Sequence, residues 1–83
     1  MKAVVLIRPK RGILDPQGDA VRGSLQKLGF PVVQARVGRL VDIELETDDP
    51  REAREQLDRM SAELLANPLI ESFEIEIELE GEA

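Results

Sequence analysis

No cysteine, histidine, tyrosine or tryptophan occurs in this 83-residue chain, and only two phenylalanines do. The missing thiols exclude disulfides and thiolate-bound zinc. Without imidazole, the commonest general base is gone, and with it any Ser-His or Cys-His nucleophile. Chemistry is left to carboxylates, lysine, arginine and hydroxyls; the composition disfavours zinc and leaves open a carboxylate-held magnesium. Long apolar runs are lacking too: none approaches the about eighteen residues that a membrane span needs. The first residues also lack the design of a signal peptide. The expectation is a soluble cytoplasmic protein with no membrane partner. At this length the chain is a single domain, 1–83, that buries only about 60% of its unfolded surface and is marginal alone.

Charge is plentiful but uneven. The net charge is −6. Residues 1–41 hold eight lysines and arginines against two acidic residues, whereas residues 42–83 hold three against fifteen. A nucleic-acid partner is not expected, because the basic half offers only Phe30 for stacking and the acidic half would repel phosphate. The plainer reading is that the halves complement each other in the fold or across a dimer.

The most informative stretch is Pro31–Thr47. Val33, Ala35, Val37, Val41, Ile43 and Leu45 fall on odd positions, while the even ones are mostly polar or charged. Period-two alternation marks a strand with one buried face, and here the phase survives Gly38. A two-residue hairpin on Gly38-Arg39 would turn Asp42 and Glu44 onto the apolar face. One long strand bent at Gly38 is therefore expected. About fourteen residues at ~3.3 Å each reach roughly 45 Å, against about 30 Å for the breadth of a compact chain this size. Part of such a strand must lie outside its own core and needs a partner.

Around it the order is β-α-β-α-β. Ala3–Ile7 is a continuous apolar run, suited to a central strand covered on both faces. Asp15-Pro16 caps and opens a first helix over 16–28, with Leu14 placed as a staple, Val21, Leu25 and Leu28 as its apolar stripe and Gly29 as its stop. Gly18 in the first turn is poor for a helix and points to close backbone approach, by another element or by a ligand phosphate. Asp49-Pro50 opens a second helix, with Ala53, Leu57, Met60, Ser61, Leu64 and Leu65 along one face and Asn67-Pro68 at its end. The Asp48-Asp49 pair reads as a cap or, against that, as metal ligands. Phe73, Ile75, Ile77 and Leu79 alternate with Glu74, Glu76, Glu78 and Glu80 in the last strand. The expected fold is α+β, an antiparallel sheet with both helices on one face. A break at Gly38 would give the ferredoxin-like β-α-β-β-α-β pattern instead.

Several segments together resemble the PurS family, the small subunits of phosphoribosylformylglycinamidine synthase. They are Gly12–Gly18 with Lys10 five residues ahead of Asp15, Leu28-Gly29-Phe30, Arg36-Val37-Gly38-Arg39, and Leu64–Glu71. Ser61 stands where many relatives carry Cys, Leu69 where Val is usual, Phe73 where Tyr is common and Arg39 where Lys is found. The resemblance implies a bridging subunit with no active site of its own. It would hold a glutaminase subunit to a synthetase subunit as a homodimer or dimer of dimers, while ATP and magnesium belong to the synthetase and no cofactor to this chain. It also implies partner-binding residues at Lys10, Asp15, Gln17, Gly18, Arg36, Arg39, Asn67 and Glu71. The rival expectation, from fold analogy alone, is a homodimeric small-ligand sensor holding an anion at the Asp15-Pro16 helix start.

Overall fold

The computed structural model describes residues 1–78; the Leu79 and Glu80 positions of the expected last strand lie outside them. Its elements are β1 (Lys2–Pro9), α1 (Pro16–Lys27), β2 (Arg39–Glu44), α2 (Pro50–Met60) and β3 (Glu71–Glu78). The strands form one antiparallel sheet in the order β2-β1-β3. The apolar run of β1 thus sits in the centre, where both its edges are hydrogen-bonded. Ala3, Val5 and Ile7 point to one face, in register with Ile43 and Ile77, Val41 and Ile75, and Arg39 and Phe73. Alternation in sequence has become one apolar layer, and α2 lies on it with Ala53 and Leu57 fully buried.

Helix starts follow the expected chemistry. The Asp49 carboxylate accepts from Arg51 N at 3.0 Å, and Pro50 follows at the first helical position. Beyond Met60 the rod continues as a π-helical turn, Ser61–Leu65, closed by Ala66 N donating to Ser61 O at 2.9 Å. This wider turn leaves Leu64 exposed, although the helical stripe had included it, and keeps Ser61 and Ala66 inward. The Ser61 hydroxyl is buried with no hydrogen-bond partner among the described residues. An unsatisfied buried hydroxyl costs about 1–3 kcal/mol, so Ser61→Ala is expected to stabilise the fold by about 1 kcal/mol, or about 4–8 °C in midpoint. Ser61→Cys, placing a small hydrophobe there, is expected to move the same way. Thermal unfolding followed by circular dichroism checks both, and a destabilised alanine variant would show that the hydroxyl is satisfied in solution.

The long strand takes a particular form. Gly38 is not the turn of a hairpin: β2 begins directly after it at Arg39, and residues 31–37 before it form no strand for β2 to pair back on. A ladder forms only over Arg39–Glu44, carried one residue further by the reciprocal bonds of Met1 and Leu45. Residues 31–38 have no strand neighbour among the described residues. They run back along α1, held by Gln26 Nε2 on Val32 O at 2.9 Å and by Val37 N on Asp15 Oδ2 at 3.0 Å. The expectation that both helices pack on the sheet is corrected here: α2 does, but α1 belongs to this arm. Its stripe stays open, with Leu28 74% exposed, and Leu14 is likewise too exposed to act as a staple. The radius of gyration is 16.1 Å and the longest dimension 47 Å, against about 12 Å for the radius of a compact chain of this length. An arm of helix and strand leaves the body, which a four-stranded ferredoxin-like unit within one chain would not give.

Candidate functional site

The arm is locked together at its root by Asp15. Its Oδ1 accepts from Gly18 N at 3.0 Å, capping α1, while Oδ2 takes Val37 N from the extended segment. Gly18 is buried where it is because Ala35 passes over it: a Cβ there would lie 2.3 Å from the Ala35 carbonyl oxygen. Of the two causes of close approach foreseen for Gly18, it is another element of the chain. At the far end, Gly29 takes φ 94° and closes a Schellman motif, with Phe30 N on Leu25 O and Gly29 N on Gln26 O.

A second knot joins the arm to the sheet. Lys10 donates through its backbone to Ile70 O at 2.8 Å and through Nζ to Pro68 O at 2.6 Å, gripping the corner before β3. Asn67 shapes that corner: its Oδ1 accepts from Leu69 N and its carbonyl from Ile70 N and Glu71 N. The Glu71 carboxylate takes both Arg39 guanidinium nitrogens, at 2.6 and 2.9 Å, together with Asn67 N at 2.8 Å. The Arg39 Nη2 also reaches Leu65 O at 2.6 Å, satisfying a carbonyl at the end of the π turn. This forked geometry suits arginine, which a lysine's point charge could not reproduce. Arg36 donates to Pro9 O on the other side. Seven of the eight residues marked in the sequence make these bonds: Asp15 and Gly18 in the lock of the arm, Arg36 on Pro9 O, and Lys10, Arg39, Asn67 and Glu71 at the corner before β3; Gln17 is exposed on the first turn of α1.

Electrostatics follow from the bonds. The N–H groups of Gly18 and Val37 hold the Asp15 carboxyl below its ordinary 3.8. Arg39, then Asn67 N–H, hold Glu71 below 4.5, and the same pairing raises Arg39. Both carboxylates are therefore ionised at neutral pH. A depressed folded-state value stabilises above the unfolded value and is lost as pH falls through the folded one. The thermal midpoint is expected to hold above pH 4.5 and to decline below it. An Asp15→Asn, Glu71→Gln variant, less stable at neutral pH, is expected to decline less over the same range. Equal slopes in a pH-resolved melting series would show that these bonds do not set the acid limb.

Asp15 also bears on the anion reading, because its carboxylate occupies the helix N-terminus where an anion would sit. No group of three or more metal-ligating side chains occurs among the described residues. Asp49 acts as a cap, as one of the two readings had it. No helix among the described residues is long and apolar enough to cross a membrane. Two features escaped the sequence reading. One is the Val37 N–H that completes the Asp15 bridge; the other is the second face of the sheet, where Leu40 is exposed and Val4 and Leu6 are only half-buried. The apolar even positions of Ala3–Ile7 carried the signal for that face, but its cover was expected within the chain.

Residues 2–79 match the family model described as PurS, phosphoribosylformylglycinamidine (FGAM) synthase. The chain is 46% identical over 79 residues to the phosphoribosylformylglycinamidine synthase subunit PurS of Synechocystis, spanning 93% of this chain and 77% of that one. It superposes on the crystal structure of Methanocaldococcus jannaschii PurS with a TM-score of 0.82 at 35% identity, covering 94% and 95% of the two chains. A chain in the structure of PurLQS from Thermotoga maritima is similar at a TM-score of 0.83 and 28% identity, over 90% and 93%. These matches run through the sheet, the arm and the knot between them, and the chain belongs to the PurS family of phosphoribosylformylglycinamidine synthase.

Proposed function

We propose that this chain is the assembly subunit of a cytoplasmic phosphoribosylformylglycinamidine synthase in de novo purine biosynthesis. It joins a glutaminase subunit to a synthetase subunit so that ammonia released from glutamine reaches formylglycinamide ribonucleotide before water or a proton captures it. Its mechanism is geometric: holding donor and acceptor sites in register replaces a diffusive step with a local one. ATP and magnesium act in the synthetase subunit, and this chain contributes position.

The single observation that carries this reading is the arm. An unpaired extended segment and an uncovered helical stripe are costly in a chain this small, unless another copy completes them. Two copies laid antiparallel along residues 31–44 would pair the free segment of each with the outer edge of β2 in the other, giving one continuous sheet. Each α1 would then travel with its strand onto the second copy. A dimer built this way presents two knots of Lys10, Arg39, Asn67 and Glu71, one at each end, to larger subunits. Sizing chromatography of the chain with both partner subunits and glutamine is expected to give one co-eluting complex. Separate elution of all three at micromolar concentration would overturn the reading.

A further inference from the structure

Among the described residues, a helix covers only one face of the sheet. On the other, Leu6 meets Leu40 across the β1–β2 ladder and Glu74 across β1–β3; Val4 likewise stands between Asp42 and Glu76, and Lys2 between Glu44 and Glu78. Leu40 is 56% exposed. The face is thus a short apolar stripe with acidic side chains along both flanks. Among these ladder positions its cations are Lys2 at one end and Arg8, which is 2.8 Å from Glu74. Two hollows flank the stripe: one of about 520 Å³ beside Leu6 and Leu40, which Arg8, Arg36 and Arg39 also line, and one of about 380 Å³ beside Val4, lined by Asp42, Glu44 and Glu78, so the acidic character is strongest at the Val4 end.

What could cover such a face is narrowed by charge. A second copy laid face to face would set acidic rows against acidic rows, and like charges across an interface are strongly disfavoured. The antiparallel dimer proposed above uses the edge of β2, which leaves this face open in each copy. Nucleic acid is repelled by the same carboxylates. The remaining match is a protein surface of inverse pattern.

We propose that the uncovered face, with Val4, Leu6 and Leu40 between Asp42, Glu44, Glu74 and Glu76, docks an apolar ridge flanked by lysines and arginines on one of the larger subunits of the complex. This inference rests on the bridging reading and adds to it which surface does the bridging and what chemistry the partner brings. The stripe supplies buried area, while the acidic flanks set register and speed encounter.

The test uses two variants of the full chain, Asp42→Lys with Glu76→Lys, and separately Leu40→Ser, titrated into the two partner subunits by calorimetry at several salt concentrations. The charge-reversed variant is expected to bind about tenfold more weakly at low salt and to lose most of the salt dependence of the parent. Leu40→Ser is expected to weaken binding at every salt concentration. Both should sediment alone as the parent does. Unchanged affinity in both variants would overturn the proposal. So would a change in sedimentation, which would assign the face to a second copy. Failure of the parent chain to enter any complex would remove the bridging reading itself, and this inference with it.

Discussion

Replacing Gly38 by valine is expected to lower the thermal midpoint by about 15 °C, even though valine is the better strand former. The reason is contact, not backbone conformation: the positive φ values among the glycines belong to Gly12 and Gly29. A Cβ at Gly38 would lie 2.1 Å from the Ile7 carbonyl oxygen and 3.2 Å from its carbon. Both are backbone atoms of the central strand and cannot step aside as a side-chain tip can. Relief requires prising β2 from β1 where the arm joins the sheet, and overpacking of this kind costs about 3 kcal/mol. For a chain with about 4–12 kcal/mol in all, that is a large share. Gly23→Ala is the matched control: it lies within α1 with nothing within 4 Å of the added atom, and is expected to stabilise by about 0.5–1 kcal/mol. A Gly38→Val chain that melts with its parent would show that the arm does not press on β1 in solution.

That contrast also shows what the sequence made legible. The caps at Asp15-Pro16 and Asp49-Pro50 were readable because capping is settled within a few residues. The phase of Pro31–Thr47 was readable because side-chain alternation does not depend on which strand is the neighbour. Gly18 was flagged as a close approach from its poor helix propensity alone. The destination of α1 was not readable: Val21, Leu25 and Leu28 record that a face wants covering, not whose sheet will cover it. The pairing of Arg39 with Glu71 spans 32 residues and depends on β2 and β3 flanking β1, an order that no local pattern encodes. The knot also changes how the marked residues are understood. Lys10, Arg39, Asn67 and Glu71 first hold the chain to itself, and what they offer a partner is the rigid corner they build.

If two copies pair along residues 31–44 as proposed, Val33→Asp is expected to leave each chain folded and to abolish that pairing. Val33 is 88% exposed, so the single chain loses almost no buried area when it is replaced. If two copies align antiparallel about Gly38, Val33 of one copy falls beside Ile43 of the other, on the apolar side of the continuous sheet. An unpaired carboxylate there would have to be desolvated, which costs several kcal/mol. A loss of about 3 kcal/mol weakens a dimer by more than about a hundredfold, enough to turn a micromolar dimer into a monomer in sedimentation equilibrium. Gln34→Asp is the control, because the alternation sends residue 34 to the opposite face of the same segment; it should sediment as the parent does. The melting midpoint of Val33→Asp is expected to fall to that of the isolated chain and to stop depending on protein concentration, since the parent's excess stability comes from mass action. A dimer unaffected by Val33→Asp would mean that the arm finds its cover elsewhere, and the sheet edge would then be free for the larger subunits.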